Sequence, residues 1–214
     1  MQLYAHPFSS YCQKALIALY ENATPFEYRN LEDAAANAEL VSLWPLKRFP
    51  VLVDRGRTIL EATTIIEHLQ RHHPGPVRLV PDGDGGVEVR MLDRVFDNYV
   101  MTPMQKIVLD PLRPEPARDA HGVAEARGLL DRIYAWLDER LAARTWAAGE
   151  GFTMADCAAA PALFFADWAH AIPTARANLR AYRARLLARP SVARAVDEAR
   201  PYRRYFPLGA PDRD

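Results

Sequence analysis

The sequence predicts a two-part molecule, an α/β N-terminal domain followed by an all-α C-terminal domain. Three observations lead there. Up to about residue 78, short apolar runs alternate with helical patterns in the order βαβ, then ββα. The stretch "VPDGDGGVE" then breaks the pattern with Gly83, Gly85 and Gly86. Every apolar pattern after it has helical period. A chain of 214 residues is long enough for both parts to own a core.

"QLYAH" is a short apolar run ending at His6-Pro7 and reads as a strand. Ser9 or Ser10 can cap the helix that follows, whose apolar face holds Ala15, Leu16, Ala18 and Leu19. "PFEYRNL" alternates as a second strand, and "DAAANAELVSLW" is a helix stopped by Pro45. "PVLVDRGRTILEA" is a hairpin, two apolar runs around Asp54-Arg55-Gly56-Arg57. "TTIIEHLQRHH" is a helix ended by Pro74-Gly75-Pro76. Beyond the break, residues 87–110 form one long helical pattern that Pro103 should kink. "VAEARGLLDRIYAWLDERLAAR" is amphipathic, and "TMADCAAAPALFFADWAHA" is small-residue and apolar all round, as in a buried helix. Two arginine-rich helices follow, and the terminal "APDRD" is expected to fray.

Lys+Arg and Asp+Glu are both 27, so the formal charge is zero. That balance argues against nucleic-acid or anionic-membrane binding, which needs a basic excess. No apolar run is long enough to cross a bilayer, and the N-terminus lacks a signal-peptide pattern. The two cysteines, Cys12 and Cys157, form no framework, which fits a reducing cytoplasm.

Four motifs fall in one order: Ser9-x-x-Cys12 at a strand-to-helix turn, "RFPVLVD" with Pro50 before a strand, "LEATTIIEHL" after the hairpin, and "FTMADC" opening a later helix. Together they resemble a cytosolic glutathione S-transferase, with the serine of the theta- and zeta-like classes. The resemblance implies a thioredoxin-like glutathione-binding domain at residues 1–78, a linker at 79–88 and a helical domain at 89–214. It also implies a cytoplasmic homodimer that uses glutathione as co-substrate against a small electrophile, in detoxification, with no metal. Other glutathione chemistry on the same fold (peroxidase, isomerase, dehalogenase) and a non-enzymatic binding protein are the alternatives.

The same resemblance assigns residues. Phe49-Pro50 should be a cis bond whose Phe49 backbone pairs with the cysteinyl part of glutathione. Glu61 stands where the family has Glu-Ser; Ala62 lacks the hydroxyl but keeps an N–H at a helix start, where an anion is favoured. Thr63 is a possible substitute hydroxyl. Arg48, with Lys47 behind it, is placed to meet the glycine carboxylate.

Ser9 cannot form a disulfide, so dithiol chemistry at "SSYC" is excluded. A hydroxyl can still stabilise the thiolate of bound glutathione. Ser9 is the leading candidate and Ser10 its rival, with Tyr11 third; a plain helix cap is the bland alternative. Tyr4 reads as a core-facing strand residue, and Cys12 should point inward. Phe96, Tyr99, Met101 and Met104 are candidates for the wall of an electrophile pocket. "TMADC" fits a capping box, so Asp156 is read as structural. His68 and His72 share a helix face but have no evident third metal ligand, and His6 has no evident partner.

Overall fold

The computed structural model describes residues 1–214. Strand β1 (Gln2–Ala5) leads into α1 (Ser10–Glu21), β2 (Glu27–Asn30) and α2 (Ala34–Leu43). Then come β3 (Val51–Asp54), β4 (Arg57–Leu60) and α3 (Ala62–His72). The sheet order is β2-β1-β3-β4, with β1 and β2 parallel and the other pairs antiparallel. This is a thioredoxin-like sheet. Pro50 stands just before β3, where its missing N–H takes nothing from the ladder. Val51 pairs with Tyr4 on one side and Leu60 on the other.

The second half is all helix: α4 (Gly83–Val95), a π-helical segment (Phe96–Met101), α5 (Thr102–Leu109), α6 (Ala120–Leu141), α7 (Met154–Ala169), α8 (Ala177–Leu187) and α9 (Pro190–Ala199). Helix α7 is buried along nearly its whole length, its run of alanines letting α1 and α4 approach. Helix α1 is therefore covered by α7, with α3 and α9 packed beside it. Its Leu16, Ile17, Ala18 and Leu19 are all buried, and so are Gln13 and Lys14. No helix is long and apolar enough to cross a membrane.

Two expectations are corrected and one, the break at Pro103, is given its form. The glycine-rich stretch read as linker is helical from Gly83 onward, so Gly83 to Glu88 open α4. The residues fit a helix start because Asp82 precedes it and Asp84 lies in its first turn, at the positive end of the dipole. Gly86 is required for space, since a Cβ there would stand 2.2 Å from the carbonyl oxygen of Pro81. Secondly, the break at Pro103 takes the form of a π turn just before it: the wide turn accommodates a residue that cannot donate to the helical ladder. Thirdly, the C-terminus is held. Arg213 donates to the Asp167 carbonyl at 3.0 Å and pairs with its carboxylate, while Asp214 pairs with Arg200 and Arg203.

The capping box at Thr153 is present. The Asp156 carboxylate accepts from the Thr153 N–H at 2.8 Å and its hydroxyl at 3.1 Å. It also accepts from the Ala147 N–H at 2.9 Å and the Tyr182 hydroxyl at 2.6 Å, so it ties α7 to the preceding loop and to α8.

Candidate functional site

A cleft of about 580 Å³ lies between the sheet domain and α5. The start of α1 gives it Ser9 and Tyr11. The loop before β3 gives Trp44, Lys47, Arg48, Phe49 and Pro50. The end of β4 and start of α3 give Leu60, Glu61 and Ala62, and α5 gives Gln105 and Leu109.

Ser9 is the N-cap of α1, and its Oγ accepts weakly from the Cys12 N–H at 3.4 Å. The Phe49-Pro50 bond is cis, as expected. Glu61 has φ of +64°, in the left-handed region that a non-glycine residue rarely enters, and its side chain makes no cap bond to α3. Strain of this kind, of order 1–3 kcal/mol, gathers at sites where the backbone is positioned for a ligand. Ala62 follows as the first residue of α3, whose leading N–H groups have no intrahelical partner. Burial and the nearby Asp97 charge push the Tyr11 phenol up to about 12, so it is a neutral donor at physiological pH.

The remaining sequence candidates lie elsewhere. Ser10 is the first residue of α1, is buried and does not line the cleft. The expected pocket wall is corrected too. Phe96, Met101 and Met104 are in the core, and Tyr99 is half exposed away from the cleft. The apolar face of this helical stretch is taken up by packing on α7, which leaves Gln105 and Leu109, one turn apart, to face the cleft. Leu109 is 51% exposed, and an exposed leucine at helical spacing from a polar residue is a faint signal at best. Thr63 does not replace the missing hydroxyl, because it is engaged elsewhere: it accepts from Lys14 Nζ at 2.9 Å and donates to Asp93 at 2.8 Å. Tyr4 donates to Glu39 at 2.8 Å from the core side of β1. Cys12 is fully buried, with its thiol pushed up to about 12 by burial, and is inert near neutrality. His6 has a partner after all, Glu32 Oε1 at 2.9 Å, and its ring meets Tyr202 edge-on. His68 also gains a third group, but through His73 and Asp54, with His72 left outside.

Behind Tyr11 lies a buried ionic cluster that the sequence did not reveal. Lys14 Nζ stands 2.5 Å from Asp93 Oδ1 and 2.8 Å from Asp97 Oδ2. Arg94 reaches the same Asp97 oxygen at 2.6 Å from the solvent side. The lysine belongs to α1 and Asp93 to α4, so the cluster crosses between the two halves of the molecule. Its side chain is 1% exposed.

A thioredoxin-like sheet with a cis-proline cleft, closed by a helical domain, defines a two-domain thioredoxin-like architecture. Residues 3–77 match the glutathione S-transferase N-terminal domain and residues 100–190 the glutathione S-transferase C-terminal domain. The chain belongs to the glutathione S-transferase family. A stringent starvation protein A homolog of Coxiella burnetii is 24% identical over 201 residues, 93% of this chain and 92% of its own. FtsZ-localized protein A of Caulobacter vibrioides is 29% identical over 184 residues, 80% of this chain and 79% of its own. A crystal structure of a glutathione S-transferase from Rhodospirillum rubrum superposes with a TM-score of 0.80 at 25% identity, covering 99% of this chain and 96% of that one.

Proposed function

We propose that the cleft binds glutathione and that Ser9 stabilises its thiolate for attack on a small apolar electrophile. The observation that carries this reading is that Ser9 shares one cleft with Phe49, cis-Pro50, Glu61 and Ala62, while Ser10 is turned away from it. The γ-glutamyl end meets Glu61 through its ammonium and the Ala62 N–H through its carboxylate. The cysteinyl unit lies along the Phe49 backbone, and Arg48, with Lys47, meets the glycyl carboxylate. A free thiol titrates near 8.5, so little is thiolate at pH 7. The Ser9 hydroxyl donates to sulfur in the charged form, the thiol proton goes to water, and each unit of pKa removed is worth about 1.4 kcal/mol. The C–S bond forms as the electrophile's leaving group departs or its carbonyl-type acceptor takes the electron pair. Leu109 and Trp44 supply the apolar surface, and Tyr11 is a second neutral donor beside it.

Residues 1–78 are the glutathione-binding half in this reading, and the helical half contributes Gln105 and Leu109. Val87, Met91 and Tyr99 are all about half exposed or more along one helical stretch, which supports a homodimer. Conjugation of cytoplasmic electrophiles is the role that follows.

A second reading, a glutathione-fold binding protein without catalysis, has a specific support: Ala62 lacks the family hydroxyl, and two relatives carry names from starvation response and FtsZ localisation. Ultraviolet titration of bound glutathione separates the two. Thiolate absorbance should appear below the free-thiol pKa in the wild type and in Ser10→Ala, and return to the free value in Ser9→Ala. Retention in Ser9→Ala with loss in Tyr11→Phe would transfer the role to the phenol. Binding with an unshifted thiol in the wild type would favour the non-catalytic reading.

A further inference from the structure

Away from the cleft, three side chains from separate segments converge on one point. Asp54 ends β3, His68 lies on α3, and His73 is the residue that caps α3. Their ligand atoms all lie within 4.8 Å of one another. The Nε2 atoms of His68 and His73 stand 2.9 and 2.8 Å from the same oxygen, Asp54 Oδ2. The three side chains are only 11, 25 and 5% exposed, for His68, His73 and Asp54 respectively.

Helical geometry alone would pair His68 with His72, four residues on. The end of α3 changes that. His73 leaves the helix with φ −138° and ψ 54°, which swings its ring to the Asp54 side, while His72 packs against His68 at 4.5 Å between ring centres. The segment beyond His73 is fixed, because the Asn22 side chain accepts from the Val77 N–H at 2.8 Å and donates to its carbonyl at 3.0 Å. The His73 N–H itself still reaches the Leu69 carbonyl at 2.8 Å. The three groups are thus held in place by a strand end, a helix and a latched loop.

We propose that Asp54, His68 and His73 bind one divalent transition-metal ion of the zinc type, with water completing its shell. Two imidazole nitrogens and one carboxylate suit a borderline ion; calcium and magnesium prefer all-oxygen shells. Bonds of about 2.0–2.1 Å in a tetrahedron put neighbouring ligand atoms roughly 3.3 Å apart. The Nε2–Oδ2 distances therefore need to open by only about half an ångström, within side-chain adjustment. On binding, each Nε2 presents its lone pair to the ion. The ring proton resides on Nδ1, any second ring proton leaves to water, and no electron changes hands. The bound ion closes a loop from residue 54 to residue 73 that contains β4 and the left-handed Glu61. It would act as a staple behind the cleft, and its existence does not depend on the glutathione reading.

The test uses the full chain, stripped with a chelator and free of glutathione, titrated calorimetrically with Zn²⁺ alone. One ion per chain should bind. Asp54→Asn and His73→Gln should weaken it by more than about tenfold, since loss of a ligand exceeds the usual 10–100-fold effect of outer partners at its lower end. His73→Gln keeps an N–H for Asp54 and so preserves the fold, which circular dichroism checks. His72→Ala should bind as the wild type does, and zinc should raise the melting temperature of the wild type and His72→Ala only. Absence of a saturable site, unchanged affinity in Asp54→Asn and His73→Gln, or a loss in His72→Ala equal to that in His73→Gln would each overturn the proposal.

Discussion

Replacing Asp156 by alanine tests how much of the helical domain hangs on one carboxylate. Asp156 is fully buried and accepts from two backbone N–H groups, at Ala147 and Thr153, and from the Thr153 and Tyr182 hydroxyls. The alanine leaves all four donors without that acceptor in a place water does not reach. Each orphaned donor costs roughly 1–3 kcal/mol. Burial raises the carboxyl's own pKa against the pull of those donors, so removing the charge returns part of that sum. The net loss should be about 3–5 kcal/mol, a large share of the 5–15 kcal/mol typical of a folded domain. Asp156→Asn keeps one acceptor oxygen and should lose about half as much. Urea unfolding followed by tryptophan fluorescence measures both, Trp146 being next to Ala147. Glutathione binding per folded molecule should not change. A midpoint for Asp156→Ala that differs from wild type by less than ~1 kcal/mol would refute the reasoning, as would lost binding in a fully folded variant.

Lys14→Met should destabilise by about 3–5 kcal/mol, because Asp93 and Asp97 would lose their buried counter-ion and keep only the half-exposed Arg94. Adding Asp93→Asn and Asp97→Asn should recover most of that loss in the same unfolding assay; no recovery would mean the lysine acts through packing. Burial opposes ionisation of Glu21, but hydrogen bonds from Arg189 and Ser191 outweigh it and hold its carboxyl below the ordinary value. Its contribution is therefore present above the unfolded carboxyl pKa of about 4.3 and lost as pH falls through the lower folded value. Stability measured from pH 6 down to pH 3 should fall less steeply in Glu21→Gln than in wild type. Gly75→Ala should cost about 1–3 kcal/mol by melting, since its Cβ would meet Asn22 Cβ at 2.4 Å and break the latch on Val77.

What the sequence disclosed was local. The strand before Ser9, the hairpin around Gly56, the cap at Thr153 and the proline before β3 each depend on neighbours a few residues away, and each is where the pattern put it. Ser9 was visible as a cap, and the family motif placed it in the cleft. The misses are contacts between distant segments. Lys14 carries no signal of its own in the sequence, because Asp93 and Asp97 reach it only in the fold, and Asp54, His68 and His73 meet only after α3 unwinds at its end. Phe96, Met101 and Met104 looked like a pocket wall because methionine and aromatic residues suit either a pocket or a core; α7 decided for the core. Gly83, Gly85 and Gly86 looked like a flexible joint because the carbonyl of Pro81, which needs Gly86 to be bare, cannot be seen in a sequence.

The lysine shared between α1 and α4 has a consequence for the ancestry and engineering of this chain. Thioredoxin-like halves and helical halves look exchangeable as units, but here a seam residue of one carries a charge that only the other can answer. A chimera that took residues 1–77 from this protein and its helices from a relative without acids at positions 93 and 97 would inherit a stranded cation. The reverse graft would inherit two buried acids whose one remaining cation is the half-exposed Arg94. The halves of this molecule must therefore change together, and any scheme that shuffles them has to move Lys14, Thr63, Asp93 and Asp97 as one set.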